Sequence, residues 1–324
     1  MKTKAGPVSV NDWMKVFKEL YSKADSERTP EQMWIAVMAH TSEIGESIRK
    51  FAFESLLKSA THTFCWLCSF VNKCKAMPND DIFCISESLP GIVSLKYPGV
   101  CGHCTEKPCK CDPVRMEGEK DKSAVYTDLL DRRSRELKAQ EDYSIESYKK
   151  MFYEIYGGRV HIQTLESIGF HFLEEIGEAA VCVRKLSQLR RIAQDESTEI
   201  DSAFMKQLSK VDGIVKNYTK HKTIGEINYA VKDPSMLKAR VVDAKMGLVV
   251  EIGDSFSWFC ALLNKLDSIS RFIWDHPDKH KTLKQVEQVL GDEYIGRTGK
   301  TRCPSCKKKP CRCVFYNLGS VERI

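Results

Sequence analysis

Acidic residues at helical spacing are the clearest sign of chemistry in this sequence. Two pairs have members three residues apart: Glu175 with Glu178, and Glu251 with Asp254. Residues three apart share one face of an α-helix, so each pair would project its carboxylates together. Like-charged carboxylates among apolar residues are costly unless a cation lies between them. Since carboxylate oxygens suit Mg²⁺ or Mn²⁺, the pattern predicts a divalent metal site. Apolar neighbours flank both pairs: Phe170, Phe172, Ile176 and Val181, and Val249, Val250, Ile252 and Phe256.

The alternative is that each pair belongs to a solvated helix face, which is the usual place for acids. An internal repeat favours the metal site. The segment 43–46 (EIGE) returns unchanged as 175–178, and 64–68 (FCWLC) returns as 256–260 (FSWFC). In the first copy, however, Ser59 and His62 align with Glu251 and Asp254. We therefore expect a working site in the second copy, with the first copy supporting it.

The second copy resembles the all-α nucleoside triphosphate pyrophosphatases, the superfamily of MazG-like proteins and dimeric dUTPases. The segment 173–180 (LEEIGEAA) with Arg184 and Lys185 is similar to the family's first motif, and 251–254 (EIGD) to its second. The likeness covers about residues 145–266, with a weaker trace over 10–73. The insertion between the two motifs is longer than the family usually shows, and the first copy lacks the second acid pair.

The resemblance implies hydrolysis of a nucleoside triphosphate or related nucleotide to the monophosphate and pyrophosphate. Glu175, Glu178, Glu251 and Asp254 would bind Mg²⁺, and Glu174 would orient the attacking water. Other residues have implied roles at the phosphates (Arg184, Lys185, Lys265) and at the base (Trp258, Asn264). From the residues alone the cations could also be solvated charges, Trp258 a core residue, and Asn264 the donor of a helix contact.

Two cysteine clusters share the form C-x-x-C-x4-C-x-C. Their members are Cys101, Cys104, Cys109 and Cys111, and Cys303, Cys306, Cys311 and Cys313. Four thiolates complete the tetrahedral shell of a structural Zn²⁺, so the repeat predicts two zinc ions; disulfides and an iron–sulfur cluster are the alternatives. Lysines around the second cluster could touch nucleic-acid phosphates or be simply solvated. The other six of the fourteen cysteines are expected in the core.

Helical spacing of apolar residues predicts the elements that carry these groups. We expect a first helix capped by Ser9 or Asn11, and further helices over about 30–53, 54–73, 164–193 and 235–266. Loops are expected from the end of the third helix to the first cysteine cluster. Within an insertion at 194–234, residues 200–218 are expected to be helical. The predicted fold class is all-α.

The predicted organisation has three parts: a degenerate repeat (1–116), a charged connecting segment (117–142) and an active repeat (143–324). Each repeat ends in a small zinc-binding loop formed by its cysteine cluster, here called a knuckle (101–111 and 303–313). The two repeats would pack as an intramolecular pseudo-dimer bundle. The net charge of +6 is mild, and we expect neither a signal peptide nor a membrane span, because no uninterrupted apolar stretch approaches the length of a span. We expect a cytoplasmic protein. The competing hypothesis is a catalytically silent helical module that senses nucleotides, or binds nucleic acid or protein through its knuckles.

Overall fold

The computed structural model describes residues 7–101, 104, 106–111, 142–160, 162–195, 234–274, 285–295 and 300–311. Within these ranges the chain forms helices and no strand, so the all-α class is confirmed. The expected helix at 200–218 lies outside the described residues, as do Cys313 and all but the last residue of the connecting segment.

Each half of the chain contributes a comparable series of helices. The first half forms α1 (Val10–Ser26), α2 (Pro30–Arg49), α3 (Phe53–Lys75) and α4 (Leu89–Lys96). The second half forms α5 (Ile145–Val160), α6 (Leu165–Asp195), α7 (Pro234–Trp274) and α8 (Val286–Leu290), which continues into a π-helical turn (Gly291–Ile295). The expected helices that fall on described residues therefore exist, with ends that differ from the predicted ones by up to eight residues.

Side-chain caps fix where the first helices begin. At α1, Ser9 Oγ accepts from the backbone N–H of Asp12 at 3.1 Å, and the Asp12 carboxylate accepts from the Ser9 N–H at 3.2 Å. Thr29 and Gln32 form the same reciprocal pair at α2. Each pair satisfies two backbone donors that a helix start leaves without a partner. The cap of α1 is therefore Ser9 and not Asn11.

Helix α4 lies where the sequence predicted only loops, and that expectation is wrong. Ser88 Oγ accepts from the backbone N–H of Gly91, and Pro90 sits in the first turn, where its missing N–H costs nothing. The apolar residues of α4 are buried against α7 of the other half. As a result the end of α4 delivers Lys96 and Tyr97 to α7.

Helices pack in the same pattern in both halves. In the first half α3 packs against α1 and α2, and in the second half α7 packs against α5 and α6. Helices α2 and α6 pack against each other across the halves. Each half also sends its late helix to the other half, since α4 packs on α7 and α8 packs on α3. The two halves are therefore interlocked and share one core.

Aromatic side chains hold the centre of that core. The Phe64 ring stacks on Phe259 with centroids 5.7 Å apart and also contacts Phe256 at 6.4 Å, which joins α3 to α7. The Trp34 indole N–H donates to the Ile176 carbonyl at 3.2 Å, which joins α2 to α6. Where α2 crosses α6, a Cβ on Gly169 would lie 2.5 Å from the Ile48 side chain. Glycine at this position allows the two helices to approach closely.

One helical segment among the described residues, Ala239–Ile269 of α7, is long and apolar enough to cross a membrane. Within its most apolar window, 83% is buried inside the protein. A helix so enclosed has the character of a core helix, which fits a soluble protein.

Replacing Phe64 by Ala should lower the free energy of unfolding by about 3–5 kcal/mol, because the change opens a cavity between the two halves. Phe64 is 1% exposed. Phe170 is 72% exposed and supplies the matched control, whose change to Ala should cost less than about 0.5 kcal/mol. Urea unfolding followed by circular dichroism measures both. Equal losses in the two variants would contradict a core centred on Phe64.

Candidate functional site

Three of the four predicted acids converge. Glu175 on α6 and Glu251 and Asp254 on α7 place carboxylate oxygens within 4.8 Å of one another. The packing of α6 on α7 produces this acid cluster, because each acid lies on the face that its helix turns toward the other. Glu178 lies exposed, one turn beyond Glu175, although its charge still raises the pKa of Glu251.

The surroundings of the acid cluster differ in part from those expected. Phe170 and Val181 are exposed, so they do not enclose the first acid pair. The residues that do bury the acid-bearing faces lie on both helices: Phe172, Ile176, Val249, Ile252 and Phe256. The error arose because side chains adjacent in sequence point about 100° apart on a helix, so neighbours along the chain are not neighbours in space.

Burial raises the pKa values of the two glutamates of the acid cluster. It raises the pKa of Glu175, and the nearby charges of Asp254 and Glu251 raise it further. Burial likewise raises the pKa of Glu251, with an added contribution from Asp254, while Lys96 acts in the opposite direction. A bound cation would favour the ionised form of these carboxylates and so lower their raised pKa values.

Lys96 and Tyr97 complete the cluster from the other half of the chain. The Lys96 ammonium pairs with one oxygen of Asp254, and the Tyr97 hydroxyl donates to the other. Sequence reasoning missed both residues because it expected a loop there. The Ser88 and Pro90 start signal could have revealed α4, but only the tertiary fold brings its end to Asp254.

A cavity of about 570 Å³, the acid-side cavity, adjoins the acid cluster. Trp258 and Tyr97 line this cavity, and each also contacts an acid of the cluster. Trp258 contacts Glu175, and Tyr97 contacts Asp254. The Trp258 indole N–H donates to Glu175 Oε1 at 3.2 Å, and the His171 ring stacks on the indole at 4.5 Å. The rest of the lining is mainly aromatic and aliphatic, with a few polar groups: Phe152, Tyr153, Tyr156, Val160, Ile162, Arg159, Gln163, Asn264 and Lys265.

Other predicted site residues lie in different places. Glu174 is exposed and contacts His171 at 3.3 Å, but it does not belong to the acid cluster. Arg184 and Lys185 are exposed on α6, about two turns beyond Glu178. Lys265 lines the acid-side cavity.

Asn264 makes a helix contact, which was the alternative to reading a base. Its amide donates to the Lys149 carbonyl at 2.9 Å, and Asn72 donates in the same way to Met14 at 2.8 Å. Asn264 also lines the acid-side cavity. The matching bonds show that these asparagines join equivalent helices in the two halves.

Both cysteine clusters bring their sulfurs together. In the first, Cys101, Cys104, Cys109 and Cys111 have all sulfurs within 4.8 Å, and in the second Cys303, Cys306 and Cys311 do. Close sulfur pairs lie 3.3–3.9 Å apart, against about 3.8 Å for the edge of a zinc–thiolate tetrahedron with bonds of about 2.3 Å. The clusters could therefore bind zinc. As expected, the remaining cysteines are buried (Cys65, Cys68, Cys74, Cys84, Cys182 and Cys260).

Each cysteine cluster docks on the opposite half. The Cys109 N–H donates to the Ile155 carbonyl at 2.8 Å, and the Cys311 N–H donates to the Leu20 carbonyl at 2.9 Å. Ion pairs repeat the pattern, because Lys107 pairs with Glu154 on α5 and Lys309 with Glu19 on α1. A metal in either cluster would thus stabilise contacts between the halves.

The full chain should carry two zinc ions, as measured by elemental analysis of purified protein. Cys109→Ser and Cys313→Ser should each remove one ion, because an incomplete thiolate set binds zinc more weakly. Cys68→Ala is the control and should leave both ions, since Cys68 lies in the core. Retention of both ions in Cys109→Ser would exclude the first cluster as a zinc site.

The stability of the protein in a magnesium chelator should fall as the pH rises above about 4.5, the ordinary value for a glutamate. The pKa of Glu175 is raised by folding, so its contribution is fully present below the unfolded pKa and is lost as the pH rises through the folded pKa. Glu175→Gln should flatten this slope, measured as the difference in unfolding free energy from the unmodified protein. A parallel pH dependence in the two proteins would contradict the pKa shift.

Taken together, the site offers convergent carboxylates for a hard divalent cation and, beside them, an aromatic cavity for a flat ligand. Trp258 and Tyr97 bridge the two, so a ligand in the cavity would lie next to the cation. No known protein family, curated protein or solved structure matches this chain.

Proposed function

We propose that the protein is a Mg²⁺-dependent nucleotide pyrophosphohydrolase, which hydrolyses a nucleoside triphosphate or a related nucleotide to the monophosphate and pyrophosphate. One observation carries the proposal: an acid cluster of three buried or half-buried carboxylates opens beside an aromatic cavity of about 570 Å³. That volume lies in the range of small-molecule sites, about 300–1,000 Å³.

The chemistry of the acid cluster fits a divalent cation. Glu175, Glu251 and Asp254 offer only oxygen ligands. Burial, together with the neighbouring carboxylates, raises the pKa values of both glutamates, and a bound cation would offset this effect. Glu178, whose charge acts on Glu251, would be the fourth acid. A bound Mg²⁺ would stabilise the charge that develops on the phosphates and would activate water.

The acid-side cavity would hold the nucleoside. Tyr153, Tyr156 and Trp258 supply aromatic surface for a base, and the indole N–H fixes Trp258 through Glu175. Arg159 and Lys265 are the cations of the lining, and they would attract the phosphates. Glu174, Arg184 and Lys185 remain predicted participants, and their exposure lets them reach a ligand only from the solvent side.

In this proposal the two halves form a MazG-like pseudo-dimer within one chain, located in the cytoplasm. The matching helix contacts support this arrangement, as do the equivalent asparagine bonds from Asn72 and Asn264. The second half would carry the catalytic acids, and the first half would contribute Lys96 and Tyr97 through α4.

A catalytically silent binding module is the second candidate. The observation that favours it is the pairing of Asp254 with Lys96, since a resident ammonium already offsets one carboxylate of the cluster. In such a module, exposed Lys307 and Lys308 of the second knuckle would meet the phosphates of a nucleic acid.

Turnover of ribo- and deoxynucleoside triphosphates with Mg²⁺, resolved for pyrophosphate and phosphate, tests the proposal. We expect pyrophosphate and a monophosphate as products. Glu251→Gln should lower kcat/KM about a hundredfold or more, because it removes a carboxylate from the cation site. Absence of turnover with every nucleotide, under Mg²⁺ or Mn²⁺, would favour the silent module.

The internal repeat supplies a matched control for the acid cluster. Glu46 in the first half is equivalent to Glu178, and both are exposed on their helices. Glu178→Gln should lower activity through its proximity to Glu251, whereas Glu46→Gln should leave it unchanged because Glu46 pairs with Lys50. Equal effects of the two changes would argue against catalysis at the acid cluster.

A further inference from the structure

The first half contains a counterpart of the acid-side cavity. This second cavity, the histidine-side cavity, also has a volume of about 570 Å³. Three aromatic residues of its lining, Tyr21, Trp66 and Tyr294, are equivalent to Tyr156, Trp258 and Tyr97 of the acid-side cavity. Equivalent aromatic contacts support the pairing, because Tyr294 meets Phe17 edge-on at 5.1 Å and Tyr97 meets Phe152 edge-on at 5.2 Å.

The charges beside the two cavities are exchanged. His62 stands in the place of Asp254, and Glu293 stands in the place of Lys96. His62 Nε2 lies 3.0 Å from Glu293 Oε2. The contact between the halves is therefore retained, but the acid and the basic residue have changed places relative to Asp254 and Lys96. Like Lys96, Glu293 comes from the half opposite to its partner.

The two acids of the first half that are equivalent to Glu175 and Glu178 already have partners. Glu43 accepts a hydrogen bond from Ser59 at 3.2 Å and pairs with His40 at 3.0 Å. Glu46 pairs with Lys50 on the exposed face of α2. Among the described residues no group of three carboxylates converges here, in contrast with the acid cluster. The histidine-side cavity therefore lacks the ligand set of a hard divalent cation.

Cations line the histidine-side cavity instead. Arg28, Lys58 and Lys307 line it together with two acids, Asp292 and Glu293, and two histidines, His40 and His62, add ring nitrogens. Arg28 pairs with Asp25 at 2.7 Å and covers the Trp66 ring at 4.5 Å, so it forms part of the wall. Lys58 on α3 and Lys307 on the second knuckle are exposed, and their flexible ammonium groups can reach an anion in the cavity.

We infer that the histidine-side cavity is a second nucleotide site, which binds a nucleoside phosphate without a divalent cation. Aromatic surface from Tyr21 and Trp66 accommodates the base, while Lys58 and Lys307 bind the phosphates. The choice of a nucleoside rests on the proposed function of the acid-side cavity, whereas the choice of an anion rests on the lining itself. Because the π-helical turn after α8 and the second knuckle form part of the wall, occupancy would stabilise the contact between the halves.

Binding of ATP, GTP, CTP and UTP to the zinc-loaded full chain without added Mg²⁺ or Mn²⁺, measured by isothermal titration calorimetry, tests this inference. We expect one site per chain for at least one nucleotide, and weaker binding of the corresponding nucleoside. Lys58→Ala combined with Lys307→Ala should weaken binding about tenfold or more, because two charge-assisted contacts are lost. Lys15→Ala combined with Lys150→Ala removes the same charge from exposed positions outside the cavity and should leave the affinity unchanged.

Asp254→Asn separates this site from the acid cluster and should leave the binding without Mg²⁺ intact. Binding that is absent, that survives the Lys58 and Lys307 changes, that falls equally in the control pair, or that is lost in Asp254→Asn would overturn the inference. The turnover assay is read independently, since it requires the divalent cation. A protein that binds nucleotide without Mg²⁺ but hydrolyses none with it would refute the proposed function alone.

Discussion

The need to offset buried carboxylates is the constraint on which the arrangement of the two halves depends. Glu175, Glu251 and Asp254 meet where α6 packs on α7, among buried apolar side chains, and removing such groups from water is unfavourable without a nearby cation. The cation comes from the opposite half, because α4 crosses to α7 and ends at Lys96. A chain that kept the acid cluster but lost this crossing would bury uncompensated charge.

The same exchange between halves recurs at the cysteine clusters. Each cluster docks on the first helix of the other half through one backbone hydrogen bond and one lysine–glutamate ion pair. Partly exposed ion pairs of this kind contribute at most about 1 kcal/mol each. The larger stabilisation would come from the metal, since binding of a structural zinc contributes directly to folding. Each knuckle thus helps to hold the two halves together.

The two cavities occupy equivalent places in the two halves but differ in chemistry. Trp66 and Trp258 lie at equivalent positions, whereas His62 stands where the other half has Asp254. Aromatic packing at these positions holds helices together in both halves, so it is constrained by the fold. The polar residues at the cavity edges are not constrained in this way, and they set which ligand each half can accept.

The sequence by itself determined the all-α class, the helices that carry the acids, and the cysteine clusters, because these depend on spacing along one chain segment. Glu251 and Asp254 could be placed on one helix face from their separation alone. Only the tertiary structure decided that Glu175 joins them while Glu178 stays exposed, since that depends on how α6 rotates against α7. It also decided that Lys96 and Tyr97 complete the acid cluster from the other half. Contacts between residues distant in sequence arise from helix packing, which local spacing does not encode.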